Sequence, residues 1–122
     1  ALFALRLGLR LAAPERLATP FFHAAAAAAM EVPVEIYFTA ASVRLLVPGV
    51  ADALRASPRV TKTIGDNLRE AVEHGAVLLA CTEALHMYGL DDKPLITECG
   101  RRGGAVQFMG RALNLHWRTL VF

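Results

Sequence analysis

Long apolar runs are missing from this chain, although 55% of its 122 residues are hydrophobic. Arg6, Arg10, Glu31 and Glu35 interrupt every candidate before it reaches the roughly 18 to 20 apolar residues of a membrane-spanning helix. No membrane partner is expected. Charge of one sign is scarce too: 13 Lys and Arg against 11 Asp and Glu leave a net charge of +2, short of the basic footprint that non-specific nucleic-acid binding requires. No direct nucleic-acid contact is expected either. There are two cysteines, Cys81 and Cys99, too few for a disulfide framework and too far apart for a CxxC redox pair. Both stay available for chemistry in what reads as a cytoplasmic protein. The histidines at 23, 74, 86 and 116 show neither an i, i+4 pair nor tight spacing to a cysteine, so the sequence predicts no metal site. Nothing else in it calls for a cofactor, and no Ser-His-Asp or paired-carboxylate pattern stands out.

What is present fits one domain spanning 1–122. A chain of this length buries about two thirds of its unfolded surface on folding and needs no disulfide or zinc staple. In 1–13, leucines alternate with Arg6 and Arg10, which predicts a strand rather than a secretory segment, whose basic residues would precede the apolar run. An alanine-rich helix follows over 14–30, apolar almost all round and therefore expected to be buried on two sides, with a kink at Pro20. Val34, Ile36 and Phe38 alternate with Glu35 and Tyr37 in a strand over 32–39. Ser42 is placed to cap a short helix that Pro48-Gly49 ends. Helical spacing of Ile64, Leu68, Ala71 and Val72 predicts an amphipathic helix over 61–74, closed by Gly75. The apolar run 76–81 reads as a strand buried on both faces, followed by a helix over 82–88. A weaker strand is expected over 95–99, a Gly-rich loop over 100–104, a helix over 105–113 and a last strand over 117–122. Strands alternating with helices imply parallel pairing and a three-layer α/β/α sandwich.

In such sheets the functional crevice lies at the carboxyl ends of the strands. Cys81 falls there, closing one strand and preceding a helix whose free N–H groups and dipole would favour a thiolate. A buried, inert cysteine is the competing reading. Cys99, expected to end the neighbouring strand at the same edge, is the candidate second thiol facing the same crevice. His86 lies one helical turn beyond Cys81 and would support the thiolate if its ring turned back. The stretch Gly100-Arg101-Arg102-Gly103-Gly104 offers a flexible basic loop for an anion, with Arg101, Arg102 and Gly103 as the candidate contacts, though it lacks the ending of a phosphate loop.

Several stretches together resemble a known family. Ala13-Pro14-Glu15-Arg16 with the alanine-rich helix, Val34-Glu35-Ile36-Tyr37-Phe38-Thr39, Leu68-Arg69-Glu70-Ala71, Gly75-Ala76, Leu78-Leu79-Ala80-Cys81, Gly89-Leu90 and Gly103-Gly104-Ala105 are similar to the DsrE/DsrF-like family of small sulfur-relay proteins, which includes DsrEFH and YchN-like members. The resemblance spans nearly the whole chain and departs from the family pattern at Ala13 and at Ala41-Ser42. It implies a five-stranded, largely parallel sheet and assembly into homo-oligomers, trimers or hexamers. It also implies that Cys81 matches the cysteine that accepts sulfane sulfur as a persulfide. On this expectation the protein is a sulfurtransferase-like carrier whose partners are donor and acceptor proteins or small thiols. The alternative is a non-catalytic oligomeric module of the same fold that binds a small ligand or partner segment.

Overall fold

Strands and helices alternate along the chain, and every strand pairing is parallel. The structure is a computed structural model that describes residues 2–5 and 15–122. Its elements are β1 (Leu2–Leu5), α1 (Glu15–Ala29), β2 (Glu35–Phe38), α2 (Ile64–Glu73), β3 (Val77–Cys81), α3 (Thr82–Met87), β4 (Arg101–Gly103), α4 (Ala105–Ala112) and β5 (Thr119–Val121), with short 3-10 helices at Ala40–Leu46 and Ala51–Ala53. The result is a mixed α/β fold built on a parallel sheet. Strand order is β4-β3-β2-β1-β5. Three strands of four or five residues, β1, β2 and β3, carry that sheet, while β4 and β5 extend it by three residues each at the edges. The resemblance implies a five-stranded, largely parallel sheet; of the five strands found, only the three central ones exceed three residues. Of the strand predicted over 1–13, the part beyond Leu5 lies outside the described residues, as does the turn into α1.

Strand β2 lies between β1 and β3, and all four of its residues are buried. Phe38 meets Phe21 of α1 at 6.1 Å between ring centroids, whereas Tyr37 stacks on Phe108 of α4 at 5.1 Å. Helices therefore cover both faces of the strand, and the alternation of Ile36 and Phe38 with Glu35 and Tyr37 sorts residues between two helical coverings rather than between core and water. Glu35 pays for its burial with a two-pronged ion pair: Arg111 Nε and Nη2 donate to its carboxylate oxygens at 2.9 and 3.2 Å, and the guanidinium also lies 4.2 Å over the Trp117 ring.

Helix α1 runs through Pro20 without interruption and buries Leu17, Phe21, Ala24 and Ala28 at helical spacing. It packs against α2, and its other side, with Phe22 and Met30, is exposed, so it is not buried on two sides. Thr63 caps α2: its hydroxyl accepts from Asp66 N–H at 3.0 Å while the Asp66 carboxylate accepts from Thr63 N–H at 2.9 Å. Gly75 closes it with a φ of 114°, a conformation that favours glycine. Ser42 is not a cap. It lies inside the first 3-10 helix and its hydroxyl donates back to the Thr39 carbonyl at 2.6 Å.

The strand expected over 95–99 is absent, and the segment expected as a loop forms β4 instead. Ile96 N–H donates to the Leu46 carbonyl and Cys99 N–H to the Ile96 carbonyl, which ties this segment to a 3-10 helix and a turn. Pairing with β3 uses backbone groups only, so arginines and a glycine serve as well as apolar residues on an edge strand.

Candidate functional site

Two adjacent strand ends build the site. Tyr37 pairs with Leu79 in the parallel register and Phe38 with Ala80, so the next residues, Thr39 and Cys81, come side by side. Side chains two apart share a face of a strand. Tyr37, Thr39 and Cys81 thus all lie on the α4 side of the sheet, where Phe108 stacks on Tyr37. At the same level the chain leaves both strands: Ala40 takes a φ of 50° to enter the 3-10 helix, and Cys81 is the residue before α3.

Cys81 is buried, with 8% relative exposure, and is a free thiol. Burial pushes its pKa up. Nearby polar groups outweigh that: the Tyr37 and Thr39 hydroxyls and the backbone N–H groups of Ala84 and Glu83 favour the thiolate and hold the thiol below its ordinary value. The free N–H groups of the following helix, which the sequence leads one to expect behind a thiolate, act here at Glu83 and Ala84, and the Tyr37 and Thr39 hydroxyls add to them from the end of the neighbouring strand. Tyr37 responds in the opposite sense. Its burial, its hydrogen bond to Cys81 and the nearby charges of Cys81 and Glu83 push the phenol well above its ordinary range, so it stays protonated and donating.

In front of the sulfur opens a pocket of about 460 Å³. Ala40, Ala84, Met87, Ala105, Phe108 and Val121 form its apolar wall, and Glu83 is its charged member among the described residues. This is the size and character of a small-molecule site, with a few convergent polar groups at one end.

The other candidates lie elsewhere. Cys99 is not at the end of a strand beside Cys81: it sits before β4, where its thiol donates toward the carbonyls of Leu78 at 3.7 Å and Arg101 at 3.5 Å. Burial pushes its pKa up, and the Arg101 backbone and Arg102 charge offset that only in part. It takes no part in lining the Cys81 pocket. The physical reason is the register, which pairs Cys81 with Gly103 and leaves Cys99 two residues before Arg101, toward the start of β3. His86 turns outward, 80% exposed in its side chain, and pairs with Asp91 at 2.8 Å rather than with Cys81. Arg101 and Arg102 belong to β4, not to a flexible loop. Arg102 donates to the backbone carbonyls of Asp91 and Lys93 at 3.0 and 3.4 Å, and Gly103 is buried beside Gln107. Among the described residues no group of three or more His, Cys, Asp or Glu is placed to hold a metal ion.

Tyr37, Thr39 and Glu83 are site residues that the sequence did not single out. A signal was available: in a parallel sheet covered on both faces, polar residues on an inner strand need partners, and here they occur at the carboxyl end of the strand.

The sequence matches the DsrE/DsrF-like family over residues 10–122. The chain belongs to the DsrE/DsrF-like family. That family is generally linked to sulfur relay. Among solved structures, the crystal structure of the YchN protein from E. coli matches with a TM-score of 0.74 at 17% identity, covering 99% of this chain and 96% of that one. At that identity the likeness shows the fold alone. No curated protein matches the sequence. Among the described residues no helix is long and apolar enough to cross a membrane.

Proposed function

We propose that this DsrE/DsrF-like protein carries sulfane sulfur as a persulfide on Cys81. The observation that carries the reading is a buried cysteine at a strand end that lines an apolar pocket together with the hydroxyl-bearing Tyr37 and Thr39. Such hydroxyls stabilise a thiolate, the nucleophilic form, and would equally stabilise the anionic outer sulfur of a persulfide. The low exposure of the site slows attack by water-borne oxidants on a species that oxidises readily. A cytoplasmic setting suits the reading, because reducing surroundings keep both thiols free. Mass spectrometry after incubation with a sulfane-sulfur donor tests it: the intact chain gains one sulfur atom on Cys81, and Cys81→Ala gains none. Equal loading of Cys81→Ala would refute the assignment. Failure of the wild-type chain to load would favour a non-catalytic binding module of the same fold.

Self-association belongs to the same proposal, with trimers or hexamers as the states that the family suggests. Helix α4 buries none of its residues, and Val106, Met109, Leu113 and Leu115 stand exposed on it or just beyond, Leu115 at 99%. Symmetric assembly is the common way to cover such a surface. Light scattering should report a species larger than 13.2 kDa, and Leu113→Glu with Leu115→Glu should return it to that mass. A wild-type monomer at micromolar concentration would count against it.

A further inference from the structure

We infer that the Cys81 pocket selects a neutral, apolar sulfane-sulfur donor, a hydropersulfide R–S–SH whose R group is aliphatic or aromatic, over anionic donors such as thiosulfate or glutathione hydropersulfide. This rests on the persulfide reading of Cys81 and says which carrier brings the sulfur. A single sulfur atom occupies a small part of the roughly 460 Å³ in front of Cys81. The remainder has to accommodate the group to which that sulfur is attached. Its wall is made of Phe108, Met87, Val121 and three alanines, so burying an apolar R group there is favourable and burying a hydrated anion is costly.

Charge points the same way. Glu83 stands at the pocket and an attacking thiolate adds a second negative charge, while no basic side chain among the described residues lines it. A carboxylate or sulfonate on the donor would meet repulsion from both. Arg102, which the sequence offered as an anion contact, is occupied with the carbonyls of Asp91 and Lys93.

The transfer balances without an added oxidant or reductant. Cys81 Sγ, as thiolate, attacks the outer sulfur of protonated R–S–SH. The new Sγ–S bond forms as the donor S–S bond breaks, and the electron pair leaves with the carrier as R–S⁻, which takes a proton from water. Cys81 is left as Cys–S–SH, with the sulfane sulfur at unchanged oxidation level.

The test measures loading of the full chain by mass spectrometry with benzyl hydropersulfide, glutathione hydropersulfide and thiosulfate, each rate divided by that donor's rate on N-acetylcysteine. A parallel arm alkylates Cys81 with N-benzyliodoacetamide and with iodoacetate, normalised in the same way, and reads the pocket's preference without sulfur transfer. The apolar member should lead in both arms by about tenfold, the effect expected from burying part of a benzyl group. Loading that occurs with equal or faster rates from the anionic donors would overturn this inference while leaving the persulfide reading intact. No loading from any donor would remove both, even if alkylation kept its preference. Ala105→Glu provides a variant that should fold, because Ala105 is exposed and a carboxylate suits the first turn of α4. It should slow benzyl hydropersulfide loading several-fold with an unchanged circular dichroism spectrum, and an unchanged loading rate would count against the inference.

Discussion

Tyr37 of β2 and Cys81 of β3 line the same pocket from adjacent parallel strands, and each shifts the other's ionisation: the phenol is driven up and the thiol is drawn down. They come together because the register sets Tyr37 opposite Leu79, two residues short of Cys81 on the same face. Phe108 stacks on the Tyr37 ring from α4 at 5.1 Å between centroids.

Removing that donor should weaken the thiolate. In Tyr37→Phe the apparent pKa of Cys81 rises, and its iodoacetamide alkylation at neutral pH slows by about tenfold, the equivalent of one hydrogen bond to a charged acceptor. The rates of variant and wild type should converge at high pH, where both cysteines are ionised. A pH profile superimposable on wild type would mean that Tyr37 does not set the thiolate.

Cys99→Ala should load persulfide on Cys81 at the wild-type rate, since the Cys99 thiol faces the Leu78 and Arg101 carbonyls and lies outside the pocket. No disulfide between the two cysteines should form on mild oxidation. Detection of a Cys81–Cys99 linked peptide would contradict this geometry.

Arg111→Met should destabilise the fold by about 2 kcal/mol in urea unfolding, because it strands the Glu35 carboxylate without its partner. Arg111 is itself partly exposed, which keeps the loss below that of a fully enclosed pair. Adding Glu35→Met to that variant should recover stability, since the charge left alone is then gone as well. A double variant less stable than Arg111→Met would argue that the ion pair itself, not the stranded charge, carries the energy.

The His86–Asp91 pair should operate within a pH window. Asp91 hydrogen-bonds the imidazole and raises the His86 pKa above 6.5, and the same bond lowers Asp91 below 3.8. The contribution from His86 is complete below 6.5 and is lost as pH rises through the raised value. That from Asp91 is complete above 3.8 and is lost as pH falls through the lowered value. An NMR titration should therefore find His86 above the ordinary histidine value, and Asp91→Asn should bring it down. An unchanged His86 midpoint in that variant would remove the pairing.

Much of the scaffold was written locally. Apolar spacing and the Thr63–Asp66 box specify α2, and Gly75 specifies its end. The run at 77–81 specifies a buried strand because few other uses exist for five such residues. The strand-end position of Cys81 was legible for the same reason: a strand that ends in a cysteine before a helix places it at the carboxyl edge of a parallel sheet. Strand β4 was not legible, because edge pairing draws on backbone groups that Arg101, Arg102 and Gly103 supply as well as Leu95 and Ile96 would. Nor could the partners of Cys81 be read from its neighbours in sequence. Tyr37 and Thr39 stand more than forty positions away, and they reach the sulfur only because the β2–β3 register aligns the two strand ends. Sequence by itself determined the parallel α/β scaffold and the place of Cys81 at a strand end, through periodicity and chain order. Tertiary structure alone decided what surrounds that position, because register and helix packing, which join distant segments, choose the hydrogen-bond donors and the apolar wall.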